Sequence, residues 1–172
     1  TFNVIDGQQR LTTIYFMLLA SADYAKERGW HKYADKIRDE YIVHTKKRFK
    51  GNVKIYPTNH DRKQFNQIIS LSDISGINKI SNASGGNKDG EMTAAYTFLK
   101  TECVKNIFEK AGESEDDLED FIEAFTDKFV LADITIDEGI HDANEVFNRL
   151  NTEGLELGVV DIIRNNLFMG FT

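Results

Sequence analysis

Phe2-Asn3-Val4-Ile5-Asp6-Gly7-Gln8-Gln9-Arg10-Leu11-Thr12-Thr13 is the stretch from which the fold is read. Val4 and Ile5 are β-formers, the Asp6-Gly7 pair interrupts them, and a helical pattern begins at Gln8. A strand that turns through glycine into a helix leaves the first N–H groups of that helix without partners inside it, all facing one point. Arg10 follows Gly7 by three residues, and helical side chains lean back toward the N-terminus. Its guanidinium therefore reaches the same point. The stretch reads as a phosphate cradle built without the Lys-Ser/Thr of a P-loop.

The surrounding chain is long enough for one domain with a substantial core, at 172 residues of which 41% are hydrophobic. Its net charge of −7 and pI near 5.1 argue against a free-standing nucleic-acid binder with a basic face. A lone cysteine, Cys103, fits a reducing cytoplasm and excludes a disulfide framework. No apolar run reaches the roughly 18–20 residues of a membrane span, and no signal peptide is visible. The chain starts at Thr1 and enters a strand almost at once. A single strand makes no sheet, so the sequence is expected to be a fragment of a larger protein, lacking upstream strands.

Working outward, residues 2–6 read as a strand and 8–27 as an amphipathic helix with Leu11, Tyr15, Leu18, Ala22 and Ala25 on one face. Arg28-Gly29 supplies a basic last turn and a C-cap glycine. A second helix is predicted over 31–40, followed by a hairpin of strands 41–46 and 52–56 around the basic turn Lys46-Lys47-Arg48-Phe49-Lys50-Gly51. After Pro57, the residues Thr58-Asn59-His60-Asp61 offer caps for a helix running to about Leu71. Residues 72–90, rich in Ser, Gly, Asn and Asp, read as a mobile surface loop. Helices are predicted over 91–111 and 113–128, a strand over 129–136, and helices over 142–150 and 157–169. The expected class is α+β, mainly helical: a small sheet element followed by a helical region, in a single domain over 1–172.

Val4-Ile5-Asp6-Gly7-Gln8-Gln9-Arg10-Leu11-Thr12-Thr13 resembles the signature of the GmrSD-type restriction endonuclease N-terminal domain family. That family belongs to the ParB/sulfiredoxin-like group, in which a Gly-x-x-Arg helix start holds nucleotide phosphates. Far downstream, Ala143 to Leu157 resembles the family's Phe-x-x-x-Asn element, with Phe147 and Asn151 in the matching places and Asp161 beyond. Ile55-Tyr56-Pro57-Thr58-Asn59-His60-Asp61 is similar to its middle segment. The resemblance implies a ParB/sulfiredoxin-like sheet and a module that binds and hydrolyses nucleoside triphosphate within phage-defence systems that cut modified DNA. It also implies a separate HNH-type nuclease domain in the full-length protein, so that this chain meets DNA only indirectly. No HNH motif occurs in the sequence, whose four histidines are His31, His44, His60 and His141. The alternative is a recognition module that binds nucleotide or modified DNA without turnover.

The expected site residues are Asp6, Gly7, Gln8, Gln9, Arg10 and Asn151, with Asp6 and Arg10 in catalytic roles. Asp6 suits helix N-capping, worth about 1 kcal/mol. Next to a phosphate the same carboxylate meets repulsion of roughly 4 kcal/mol at about 4 Å, which a bridging Mg²⁺ reverses. Asp6 is thus a metal ligand, or orients an attacking water, only where Mg²⁺ accompanies the triphosphate. Gly7 is a turn residue that also admits a close phosphate. Gln8 and Gln9 are neutral donors or solvated helix surface; Arg10 is the phosphate contact or one half of an exposed ion pair. Phe147 falls on an apolar face with Ala143, Val146 and Leu150, and Asn151 either stops that helix or presents its amide opposite Arg10. The pairs His60-Asp61 and His141-Asp142 invite a metal reading that helix capping also explains. The turn at 46–50 reads as a solvated hairpin tip or a contact for phosphates.

Overall fold

Helix α1, Gln8–Glu27, is the element around which the core is built. The structure is a computed structural model that describes residues 7–83, 90–111 and 114–128. From Tyr15 to Ala25 every α1 residue but Met17 is buried, so this half of the helix is covered on all sides. Tyr15, Leu18, Ala22 and Ala25 lie inside as the spacing predicts, Leu11 is half-buried, and Phe16, Leu19 and Tyr24 are inside as well. The helix stops where Arg28-Gly29 says it should. Gly29 takes φ +83, its N–H bonds Lys26 O at 3.0 Å, and Trp30 N–H bonds Ala25 O at 2.8 Å. This paired closure satisfies two of the last carbonyls, and the Trp30 ring packs on Tyr24 at 6.1 Å across it.

Helix α2, His31–Ile37, runs into a π-helical turn, Arg38–Ile42. Helix α3 is Arg62–Leu71. Helix α4, Glu91–Phe98, continues through a second π-helical turn, Leu99–Val104, into helix α5, Lys105–Ala111. Leu99 and Val104 stand five residues apart and are both buried. An i→i+5 turn aligns residues at that spacing, whereas an α-helical turn would swing one of them away. Helix α6, Glu115–Asp127, opens on a capping box in which Ser114 and Asp117 bond each other's backbone N–H.

The expected α+β class with a ParB/sulfiredoxin-like sheet is corrected by the structure, which is helical and shows no strand or sheet among the described residues. The predicted hairpin of 41–46 and 52–56 is reduced to one antiparallel bridge, Val43 with Val53. The reason is that the helix does not end at Glu40. The Val43 N–H bonds Arg38 O at 2.9 Å and draws Tyr41 and Ile42 into the π turn. The cross-chain bonds are then confined to Ile42, Val43 and His44, and residues Lys47–Phe49 curl into a 3-10 turn. The strands expected at 2–6 and 129–136, and the helices expected at 142–150 and 157–169, lie outside the described residues. Residues 72–83 form neither helix nor strand.

Two aromatic groups fill the core. Phe16 meets Tyr15, Phe65 and Tyr96 at centroid distances of 6.1, 5.7 and 5.8 Å, joining α1 to α3 and α4. Tyr24 stacks on Phe108 at 5.0 Å, and Phe108 meets Phe121 edge-on at 5.3 Å, joining α1 to α5 and α6. By its contacts the chain divides into two units, Gln9–Val130 and Thr1–Gln8 with Leu131–Thr172. The packing described above belongs to the first.

Candidate functional site

Gly7 stands immediately before α1 with φ +79, a conformation that costs an L side chain about 1–2 kcal/mol. A Cβ built there meets nothing within 4 Å, so glycine is required by the backbone angle and the space beside it is open. Gln8, Gln9 and Arg10 form the first turn and are all exposed. Thr13 folds its hydroxyl back onto Gln9 O at 2.9 Å, which explains that residue as local structure. Gln8, Arg10 and Thr12 each hold a further interaction with the chain.

No acidic residue occupies the first turn of α1. The positive end of the helix dipole therefore carries a cation, Arg10, in place of the Asp or Glu that would complement it. A glycine in the N-cap place also has no side chain to accept from the first-turn N–H groups. Asp6 and Asn151, the two other expected site residues, lie outside the described residues, as do Phe147 and Asp161.

The metal reading of His60-Asp61 gains nothing from the geometry, and His141-Asp142 lies outside the described residues. Thr58 Oγ1 donates to Asp61 Oδ2 at 2.7 Å just before α3, so Asp61 is engaged in the local turn. Among the described residues no three His, Cys, Asp or Glu side chains gather where they would hold a metal ion. A shallow surface depression lined by Thr93, Ala94, Thr97, Phe98 and Thr101 lies along α4, away from the α1 start in sequence, and brings no acid–base pair together.

The ionisable group that the sequence reading overlooked is Asp23, which is fully buried in α1. Its Oδ1 accepts from Ser72 Oγ at 2.8 Å and from the Asp73 N–H at 2.8 Å. Its Oδ2 accepts from the Tyr96 hydroxyl and faces Lys100 Nζ at 3.6 Å. Lys100 also pairs with Asp73 at 2.8 Å and Glu27 at 3.3 Å. Burial pushes the Asp23 carboxyl above its ordinary value, while Tyr96, Lys100, Ser72 and the Asp73 N–H pull it partway back. Burial and the adjacent carboxylate push the Tyr96 hydroxyl far up, so it stays a donor. The signal in the sequence was an acid set among Leu18, Leu19, Ala20, Ala22, Tyr24 and Ala25. Its work is structural: it ties α1 to the segment after α3 and to α4.

The model of the family described as GmrSD restriction endonuclease, N-terminal domain, matches residues 1–168. The chain belongs to this family. The match contains both sequence motifs, from Asp6 to Arg10 and from Phe147 to Asn151. As a GmrSD N-terminal domain, the chain is a restriction-endonuclease-associated module. No curated protein and no solved structure matches it. No described helix of this GmrSD domain is long and apolar enough to cross a membrane.

Proposed function

We propose that this domain binds and hydrolyses a nucleoside triphosphate at the start of α1, within a phage-defence endonuclease that cuts modified DNA. The observation that carries this reading is the first turn itself. Gly7 at positive φ leads into an exposed Gln8-Gln9-Arg10 turn with a cation at the positive end of the helix. A helix N-terminus with a guanidinium in its first turn is a favourable place for a phosphate. Membership of a restriction-endonuclease family supports the wider setting.

In this reading the backbone N–H groups following Gly7 and the amides of Gln8 and Gln9 hold phosphate oxygens. Arg10 balances their charge, and Asn151 offers its amide to the same ligand. Magnesium suits such a site because it takes one or two carboxylates plus substrate phosphates in preference to an all-protein cage. Asp6, one residue before Gly7, is the carboxylate that would hold it. When bound, the ion neutralises phosphate charge during transfer to water. Asp6 then has a second task, accepting a hydrogen bond from the attacking water and orienting it. A separate HNH-type nuclease domain would cut the DNA, with the nucleotide state of this module controlling it.

Phosphate release from a panel of nucleoside triphosphates, with and without Mg²⁺, tests the reading. Mg²⁺-dependent hydrolysis that is lost in Asp6→Asn is the expected result. Binding without hydrolysis would leave a recognition module, and the absence of both binding and hydrolysis would refute the reading.

A further inference from the structure

We propose that the basic turn at 46–50, with exposed Phe49 within it and exposed Tyr56 six residues beyond it in sequence, binds single-stranded nucleic acid. Residues 44–63 hold seven Lys and Arg against one acid, Asp61, within a chain of net charge −7. One third of the chain's 21 Lys and Arg thus fall on one short segment. Lys46, Lys47, Arg48 and Lys50 are exposed, and none forms an ion pair among the described residues. A polyanion supplies the counter-charge this turn lacks, and each phosphate held releases condensed counterions.

Aromatic side chains give the second observation. Phe49 is 46% exposed and Tyr56 is 60% exposed, the latter more than any other large hydrophobic side chain among the described residues. Arg48 lies over the Phe49 ring at 5.3 Å and Arg62 over the Tyr56 ring at 4.9 Å. An exposed ring beside a guanidinium group is a surface on which an unpaired base stacks, because every base has a π-face to offer. In a duplex the bases are already stacked on one another, and the rings gain nothing.

The turn is also held in shape. Gly51 closes it at φ +83, and Asn78 reaches in from the segment after α3 to bond Gly51 O, Lys50 O and Asn52 Oδ1 at 2.8, 3.0 and 3.0 Å. A fixed turn presents its charges without first having to order them.

Fluorescence anisotropy with labelled oligothymidine, across a salt series, tests the proposal on the 172-residue chain. Four phosphate contacts give a slope of log affinity against log salt of about −3. The triple variant Lys47→Gln, Arg48→Gln, Lys50→Gln should bring that slope to about −0.7. Phe49→Ala and Tyr56→Ala should each weaken binding roughly 5–150-fold at an unchanged slope. All five side chains are exposed, so melting temperatures should match the parent chain, and the triple variant carries the test should either aromatic change perturb the turn. Absence of binding at low salt, variants that bind like the parent, or duplex held as tightly as the single strand would each overturn the proposal. Triphosphate affinity at α1 is measured separately and should not change in these variants, so the two sites stand or fall independently.

Discussion

A carboxyl withdrawn from water needs donors to replace its hydration, and Asp23 has three, Ser72, the Asp73 N–H and Tyr96, with the Lys100 ammonium 3.6 Å away. Asp23→Ala leaves those donors facing a void, and should destabilise the chain by about 3–5 kcal/mol in chemical denaturation. Asp23→Asn keeps the shape and removes the titration. Because burial raises the folded carboxyl above its ordinary value, the stability tied to its protonated form is complete below the unfolded value, about 3.9. It is lost as pH rises through the higher folded value. The parent chain should therefore lose stability relative to Asp23→Asn over that window, and a difference of the opposite slope in paired thermal melts would exclude the assignment. The acid set among apolar residues was legible in the sequence, but its partners were not. The Ser72 and Tyr96 donors lie 49 and 73 residues from Asp23, beyond the reach of any local pattern.

Helix limits, by contrast, were written locally. The start of α1 after Gly7 and its stop at Gly29 follow from the backbone freedom of glycine and the change of pattern around it. The failed hairpin shows the opposite case. Residues 41–46 carry enough β-formers to read as a strand, yet Ile42 O accepts from the Tyr15 hydroxyl at 3.2 Å and Ile42 itself is fully buried. Burial of Ile42 and the long-range bond to Tyr15 decided the local geometry. The two glycine turns separate backbone strain from crowding. Gly29→Ala meets nothing within 4 Å and should cost only the left-handed penalty, about 1–2 kcal/mol. Gly51→Ala puts a Cβ 2.9 Å from Gly76 O and 3.0 Å from Asn78 Nδ2, so it should cost more. Equal losses in the two variants would mean that the Gly51 turn gives way freely.

At the scale of the whole molecule, four of the six residues expected to form the site are described: Gly7 at positive φ, then Gln8, Gln9 and Arg10 exposed on one turn. Motif spacing also located the chain in its family. The sheet expectation came from β-formers read without their partners, and the helical structure corrects it. Ligand binding couples the site to the fold. A triphosphate at a hundred times its Kd should stabilise the chain by about 2.7 kcal/mol, raising Tm by roughly 5–11 °C. Chelation of Mg²⁺ should diminish that shift, because the charge of the phosphates beside Asp6 is then unbalanced. The most direct measurement is calorimetric titration of nucleoside triphosphate with Mg²⁺ into the parent chain and into Arg10→Ala. Loss of one charged hydrogen bond predicts affinity weakened roughly 10–150-fold. Equal affinity in the two proteins would contradict a phosphate site at the start of α1.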